Sequence, residues 1–299
     1  MVICLHNAEP PPPPFTGAPS SNHHINFLNW EESIMIPQYI NSFYYFQLTL
    51  SDIPEILNLQ QKTYDSLLPK KKQDMILKSP EQLAKLINTH GFMIGTKQNM
   101  KDHNLIAYSA AKLVLEKDDL TEMRISSIFG DKKTSDKCCI LQTDVTNAAF
   151  QNKGIHKTMT AQRVLIGQQL GKSHFLSEVA VDNPASIKGF TSQGFHVIAA
   201  HPSPIDECKV LIFYNNTNKE PIWDHLPHMW VSLSAVEHFA SLPHLIQQGF
   251  KSSGIEKCGN TQGGYLMFFK KPFDFAVQET APSLPIAQQQ STTKPAHIL

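Results

Sequence analysis

Residues Gln151-Asn152-Lys153-Gly154-Ile155-His156 follow an apolar run that ends near Val145 and open an apolar-periodic stretch. This spacing predicts a short turn between a strand and a helix N-terminus. The first N–H groups of a helix lack intrahelical acceptors and lie at the positive end of its dipole, so a pyrophosphate can dock there without a dedicated cation. Gly154 would let the backbone approach the phosphates where a Cβ would obstruct them. Gln151 would donate its side-chain amide, and the N–H groups from Asn152 to His156 would complete the cradle.

One helix and one strand later comes Asn183-Pro184-Ala185-Ser186, leading through Phe190 to Gly194-Phe195. Asn183 before Pro184 is a common helix N-cap arrangement whatever the ligand. The acids that could accept a proton are few. Asp144 and Glu178 are the only carboxylates inside the two strands that flank the turn's helix. Each would be costly to bury unless paired or solvated by a cleft, and the two stand as alternative general bases. In a regular strand Gln142 and Asp144 share one face, which would then be polar; a bulge between them would separate the pair. Cys138 and Cys139 stand at the start of the first strand and read as packing residues rather than nucleophiles.

The elements that must position these groups alternate. Phe43 to Leu50 reads as a strand, with Ser51-Asp52 as the cap of a helix carrying Ile56, Leu57, Tyr64, Leu67 and Leu68. Ser79-Pro80-Glu81 opens a second helix, with Leu83, Leu86 and Ile87 on one face and Gly91 as its stop. Phe92 to Gly95 and Leu105 to Leu115 form a hairpin across Lys97 to Asn104. A polar, irregular stretch from Lys117 to Lys137 delivers the chain to the strand Cys138 to Thr146. The helix Ile155 to Leu170 would bury Met159, Val164, Leu165 and Leu170 and stop at Gly171. The strand Phe175 to Val181, a short helix from Asn183, and the strands Val197 to Ala200 and Val210 to Tyr214 complete the order βααβββαβαββ. Residues 216–272 supply a further unit: Trp230 to Leu233, a helix around Ala235 to Gln248, and the strand Tyr265 to Phe269. Its helix ends in Gln248-Gly249-Phe250, as the preceding one ends in Gln193-Gly194-Phe195. Partial internal duplication and chance both account for three matching residues.

Composition narrows the partners. The chain has 299 residues, with Lys+Arg and Asp+Glu equal at 26 each, so there is no basic excess of the kind that nucleic-acid binding requires. Five cysteines without metal-ligand spacing and 14 scattered histidines give no metal site and point to a reducing, cytoplasmic setting. No apolar run approaches the roughly 18 residues that cross a bilayer, and the N-terminus lacks the pattern of a signal peptide. Residues 1–42, with five consecutive prolines from Pro10 to Pro14, read as a disordered arm whose apolar segment Phe27 to Ile36 would dock on the body or on a protein partner. Residues 273–299 read as a disordered tail.

Taken together, residues 46–214 resemble the GNAT superfamily of acyl-CoA-dependent N-acetyltransferases. The resemblance rests on the turn Gln151 to His156, similar to that family's Q/R-x-x-G-x-G/A, and on Asn183 through Phe190 to Gly194-Phe195, similar to its N-x-x-S/A…Y…G-F. It implies an α/β fold over residues 43–215: a mixed, splayed central sheet flanked by helices, with residues 216–272 as a C-terminal α/β extension. It further implies acetyl-CoA as acyl donor, an amine acceptor of unidentified type, and direct attack without a covalent enzyme intermediate. The backbone of Val145, Thr146 and Asn147 would pair with the pantetheine arm; Gln151, Asn152, Lys153, Gly154, Ile155 and His156 would hold the pyrophosphate; Asn183, Ser186 and Phe190 would contact the cofactor's other end. Two positions depart from the pattern. His156 stands where the family has Gly or Ala, so its side chain must point away from the phosphates or contact them. Phe190 stands where many members carry a tyrosine that protonates the departing thiolate; a water, Tyr214 or Ser192 would have to replace it. The alternative function is a non-catalytic acyl-CoA-binding or interaction module on the same fold.

Overall fold

A computed structural model describes residues 38–72, 75–115, 136–181, 183–202, 209–217, 229–232, 236–248, 250–257 and 265–270. The bulk of the N-terminal arm, the C-terminal tail and most of the stretch from Lys117 to Lys137 lie outside the described residues. The first strand does not follow the sequence expectation. Gln38–Ile40 (β1), placed in the arm by composition, pairs antiparallel with Phe43–Gln47 (β2). Asn41 and Ser42 between them both have positive φ, 50° and 68°, as a two-residue type I′ hairpin turn requires.

Local signals set the next helices. Thr49 and Asp52 close a capping box, with the Thr49 N–H donating to Asp52 Oδ2 at 2.8 Å, so the reciprocal cap begins one turn before the helix Ile53–Ser66 (α1). After the single turn Pro69–Lys72 (α2), Ser79 and Gln82 form a second capping box that starts Pro80–Lys85 (α3). This helix widens through Leu86–His90 and ends at Gly91, where the chain turns directly into a strand.

That strand, Gly91–Lys97 (β3), begins the centre of an eight-stranded sheet with Ala107–Leu113 (β4), Cys138–Thr146 (β5), His174–Ala180 (β6), His196–Pro202 (β7) and Lys209–Asn216 (β8). The strand order is β1-β2-β3-β4-β5-β6-β8-β7. Every pair is antiparallel except β5 with β6, which are joined by the helix Ile155–Gln169 (α4). The helix Pro184–Thr191 (α5) links β6 to β7.

Two apolar clusters assign the faces. Leu141, Ile155, Met159, Ile166, Phe175, Val179, Ile187 and Phe190 place α4 and α5 on one face. Leu48, Ile56, Leu59, Leu83, Leu86, Met93, Tyr108 and Val145 place α1 and α3 on the other. The fold is therefore mixed α/β, one mixed sheet flanked by helices. Residues Met229–Ser232 (β9), Val236–Gln247 (α6), Lys251–Lys257 (β10) and Tyr265–Lys270 (β11) add a separate three-stranded antiparallel sheet, order β10-β11-β9. Its Leu242, Leu245 and Ile255 are buried in the same core as Phe195, Val197 and Phe213.

Close strand packing at the α3–β3 junction leaves no space for a side chain at Gly91, where a Cβ would run into the Ala111 carbonyl. Gly91→Ala should therefore destabilise the fold by about 2–3 kcal/mol in urea unfolding, because backbone must move to accept it.

Candidate active site

A single irregularity in β5 determines where the site lies. In the β4–β5 ladder Ser109 opposes Asp144 and Ala111 opposes Leu141, so Gln142 and Thr143 together face the single residue Ala110. This is a β-bulge, and it reverses the side-chain alternation along the strand. Before it, Cys139 and Leu141 pack on the α4 face; after it, Val145 packs on the α1 face. Asp144 thereby turns toward α4, and the shared polar face expected of Gln142 and Asp144 in a regular strand does not form.

A bulge leaves ladder carbonyls without strand partners, and Arg163 supplies them. Its side chain is fully buried, and Nη1 donates to the carbonyls of Ala110 (2.9 Å) and Gln142 (3.1 Å), the residues on either side of the irregularity. Nη2 donates to Asp144 Oδ2 (2.7 Å) and to Thr160 Oγ1 (3.1 Å). Burial of Asp144 works to raise its pKa, but the Arg163 guanidinium, helped by His156, outweighs it and holds the carboxyl below the usual carboxylate range. A base that works near neutrality needs the opposite tuning. Asp144 is thus placed as the buried counter-ion of Arg163.

Sequence reasoning missed Arg163. The signal was present, since only Arg124 and Arg163 are arginines among 26 cationic residues. Arg163 also shares a helical stripe with Ile155, Met159 and Ile166, all buried. Leu165, expected inside, is 53% exposed.

The bulge begins where β5 parts from β6. Those strands pair only from Cys138–Ile140 to His174–Leu176. A further tie is the Ser177 hydroxyl, which donates to the Leu141 carbonyl at 3.0 Å. Beyond Ile140 and Leu176, β6 continues to pair with β8 through Ala180 and β5 with β4 through Thr146, while the two inner edges no longer pair with each other and part as a wedge. The extra twist of a bulged strand is the physical reason for the divergence. Glu178 lies on this part of β6. It is buried, and alternation puts it on the opposite face from Phe175 and Val179, away from α4. The two candidate bases therefore occupy opposite faces of the sheet.

Past Thr146 the chain makes the single turn Ala148–Phe150 and then the glycine turn, whose residues Gln151 to Gly154 are all exposed. Asn152 and Gly154 have φ of 62° and 77°. Gly154 is the N-cap of α4, and a Cβ there would meet no atom within 4 Å, so its requirement is the left-handed backbone. The Thr158 N–H bonds back to the Gly154 carbonyl at 3.0 Å, which leaves the amides of the first helical turn without intrahelical acceptors. His156 points inward. Its Nε2 lies 3.3 Å from Asp144 Oδ2 and its ring meets Phe190 edge-on at 5.5 Å. Gly189 makes room, since a Cβ there would collide with the imidazole. The side chain thus stays clear of the exposed turn Gln151 to Gly154.

The remaining expected site residues are placed as follows. Asn147 has both backbone groups engaged: its N–H donates to the Ile106 carbonyl (2.9 Å) and its carbonyl accepts from the Phe150 N–H (2.9 Å). It shapes the turn rather than offering an open strand edge. Asn183 caps α5, with Oδ1 accepting from the Ser186 N–H at 3.3 Å, and Ser186 is buried. Phe190 is wholly buried against Phe195 and Phe213, so it packs in the core instead of lining the wedge. Cys138 and Cys139 are buried, and desolvation pushes both thiols up to about 12, which removes them as nucleophiles. Of the replacement acids, the Tyr214 hydroxyl meets His174 Nδ1 at 2.7 Å at the closed end of the wedge. The Ser192 hydroxyl is exposed and donates to the Gly189 carbonyl. A cavity of about 370 Å³ lies on the α1 side, between Glu55, Asn58 and Lys62, the hairpin residues Gln98, Asp102 and Asn104, and Asn147 with Phe150. Among the described residues no cluster of His, Cys, Asp and Glu could hold a metal, and no helix is long and apolar enough to cross a membrane.

No protein-family pattern matches the sequence, and no curated protein matches it. Solved structures that resemble it include the ribosomal-protein-S18-alanine N-acetyltransferase of Escherichia coli, at 14% identity over 62% of this chain and 99% of that one, with a TM-score of 0.43. Arabidopsis thaliana NAA60 in complex with acetyl-CoA shares 13% identity over 59% of this chain and 99% of that one, with a TM-score of 0.46. A GNAT-family acetyltransferase of Streptococcus pneumoniae shares 12% identity over 58% and 98%, with a TM-score of 0.45.

The Asp144–Arg163 pair predicts an acid limb of stability. Because the folded-state pKa of Asp144 is depressed, its contribution is present above the unfolded value of about 3.9 and is lost as pH falls through the folded value. Urea unfolding of the wild type should weaken across that window, and Asp144→Asn should be less stable at neutral pH with a flatter acid limb.

Proposed function

We propose that the protein is an acetyl-CoA-dependent N-acetyltransferase, in which the wedge between β5 and β6 holds the thioester arm and the Gly154 turn holds the pyrophosphate. The observation that carries the reading is the coincidence of two features on one strand: β5 loses its β6 partner after Ile140, and the same strand runs on into the exposed turn Gln151 to Gly154 at the N-terminus of α4. The residues fit the ligand. The turn is left-handed at its single glycine, Gly154, and the side chain of His156, where the family has Gly or Ala, is turned inward. When bound, acetyl-CoA supplies the activated acyl group.

The chain's own contributions are positional. Inner-edge backbone of β5 at Thr146 orients the pantetheine as an added strand would, whereas Val145, in phase with Asn147, turns its backbone groups toward β4, and Gln151 to His156 hold the phosphates. Holding amine and thioester side by side replaces a covalent enzyme intermediate, because orientation alone removes much of the barrier. Glu178, buried on the face of β6 turned away from α4, is the base that takes the amine proton, directly or through a water. Phe190 offers no proton to the departing thiolate, and this favours a second reading, a binding module that retains acyl-CoA without turnover.

Calorimetric titration and a free-thiol assay over a panel of amines, polyamines and peptides test the reading together. Acetyl-CoA should bind, and Gly154→Trp should weaken binding at least about tenfold, a loss of roughly 1.4 kcal/mol, with the fold intact by circular dichroism. Glu178→Gln should keep the wild-type affinity for acetyl-CoA while lowering turnover by about a hundredfold or more. Binding without CoA release from any acceptor would select the non-catalytic module, and unchanged affinity in Gly154→Trp would remove the site from both.

A further inference from the structure

The second sheet repeats the last part of the first, and it does so in more than sequence. In β6-α5-β7-β8 and in β9-α6-β10-β11 a strand, a helix and two returning strands form an antiparallel trio whose last strand lies in the middle, in the orders β6-β8-β7 and β9-β11-β10. In the sequence, Gln-Gly-Phe follows shortly after each helix. In both, the phenylalanine N–H reaches back five residues, Phe195 to the Phe190 carbonyl (3.2 Å) and Phe250 to the Leu245 carbonyl (3.1 Å). In both, the ladder slips at the third residue after the phenylalanine, between Val197 and Ala199 and between Ser252 and Gly254. A bulge at an equivalent position is not required by the strand order and is kept within related folds.

The two units also touch each other through equivalent positions. Val197 and Ser252 each stand two residues after their phenylalanine, and the Val197 N–H donates to Ser252 Oγ at 2.7 Å in a fully buried seam. Next to it, His196 Nδ1 lies 2.8 Å from the Ser252 carbonyl. The helices cross over reciprocally: α5 packs on β10 and α6 packs on β7. Like meeting like with exchanged partners is the pattern of a two-fold, isologous interface.

We infer that residues 229–270 are a second, partial copy of the β6–β8 unit, and that this copy occupies the β7 edge as a homotypic partner, where a two-fold dimer would place a second chain. The β7 edge is thus a self-complementary surface satisfied within one chain. The inference does not depend on acetyl transfer.

Light scattering and hydrogen exchange on the full chain test it. The wild type should have the mass of one chain over a roughly hundredfold concentration range, with His196–Pro202 and Lys251–Lys257 protected independently of dilution. Ser252→Arg, which wedges the seam, should stay folded by circular dichroism, expose β7 and gain concentration-dependent association toward two chains. Ser252→Ala, which removes only the bond to Val197, should speed exchange in both segments together by several-fold and covers the case in which Ser252→Arg does not fold. A wild-type dimer whose β7 protection falls on dilution would overturn the inference. So would a folded, monomeric Ser252→Arg with unchanged β7 exchange, or faster exchange confined to one segment in Ser252→Ala.

Discussion

The guanidinium of Arg163 makes the irregular course of β5 tolerable. A bulge in the middle of a buried sheet strands carbonyls that no neighbouring strand can reach, and an unsatisfied buried polar group costs on the order of 1–3 kcal/mol. Arg163 bonds the carbonyls of Ala110 and Gln142 at once, and Asp144 neutralises the charge that does so. Removing either partner of such a buried pair is typically worth about 3–5 kcal/mol, mostly through the charge left behind. With the bulge secured, β5 parts from β6, and the strand delivers the chain to the exposed turn before α4.

The same arrangement separates the roles of the acids. Asp144 and Glu178 look alike in sequence, each a single carboxylate in a strand of apolar neighbours. The bulge turns the first toward Arg163 and His156, while Glu178 on unbulged β6 faces away from α4. His156 belongs to this structural group as well. Its imidazole lies between Asp144, Phe190 and Gly189, tying the first turn of α4 to α5 beneath the cradle.

Much of this was legible in the residues, and the exceptions share a cause. The alternation of strands and helices, the hairpin between β3 and β4, the capping of α3 by Ser79 and the short turn before α4 all follow from local chemistry that acts within a few residues. The bulge does not, because Gln142 and Thr143 are ordinary strand residues and their irregularity depends on a side chain about twenty positions away. Arg163 was hidden for the complementary reason: a cation on a helix is read as solvated until its partner is known. The strand β1 was lost to the polar, proline-rich composition around it, and its Asn41-Ser42 turn lacks the glycine that marks most hairpins of that type. The echo of Gln-Gly-Phe was visible, whereas the matching bulges and reciprocal packing that give it weight appear only in three dimensions.

The most direct measurement of the central claim is a crystal structure of the protein with coenzyme A or acetyl-CoA. The pyrophosphate should lie on the amides from Asn152 to His156, with the pantetheine along the inner edge of β5 and the sulfur between Glu178 and the Gln142–Thr143 bulge. A ligand seated instead in the cavity between α1 and the β3–β4 hairpin, or a wedge closed by continued pairing of β5 with β6, would contradict the account.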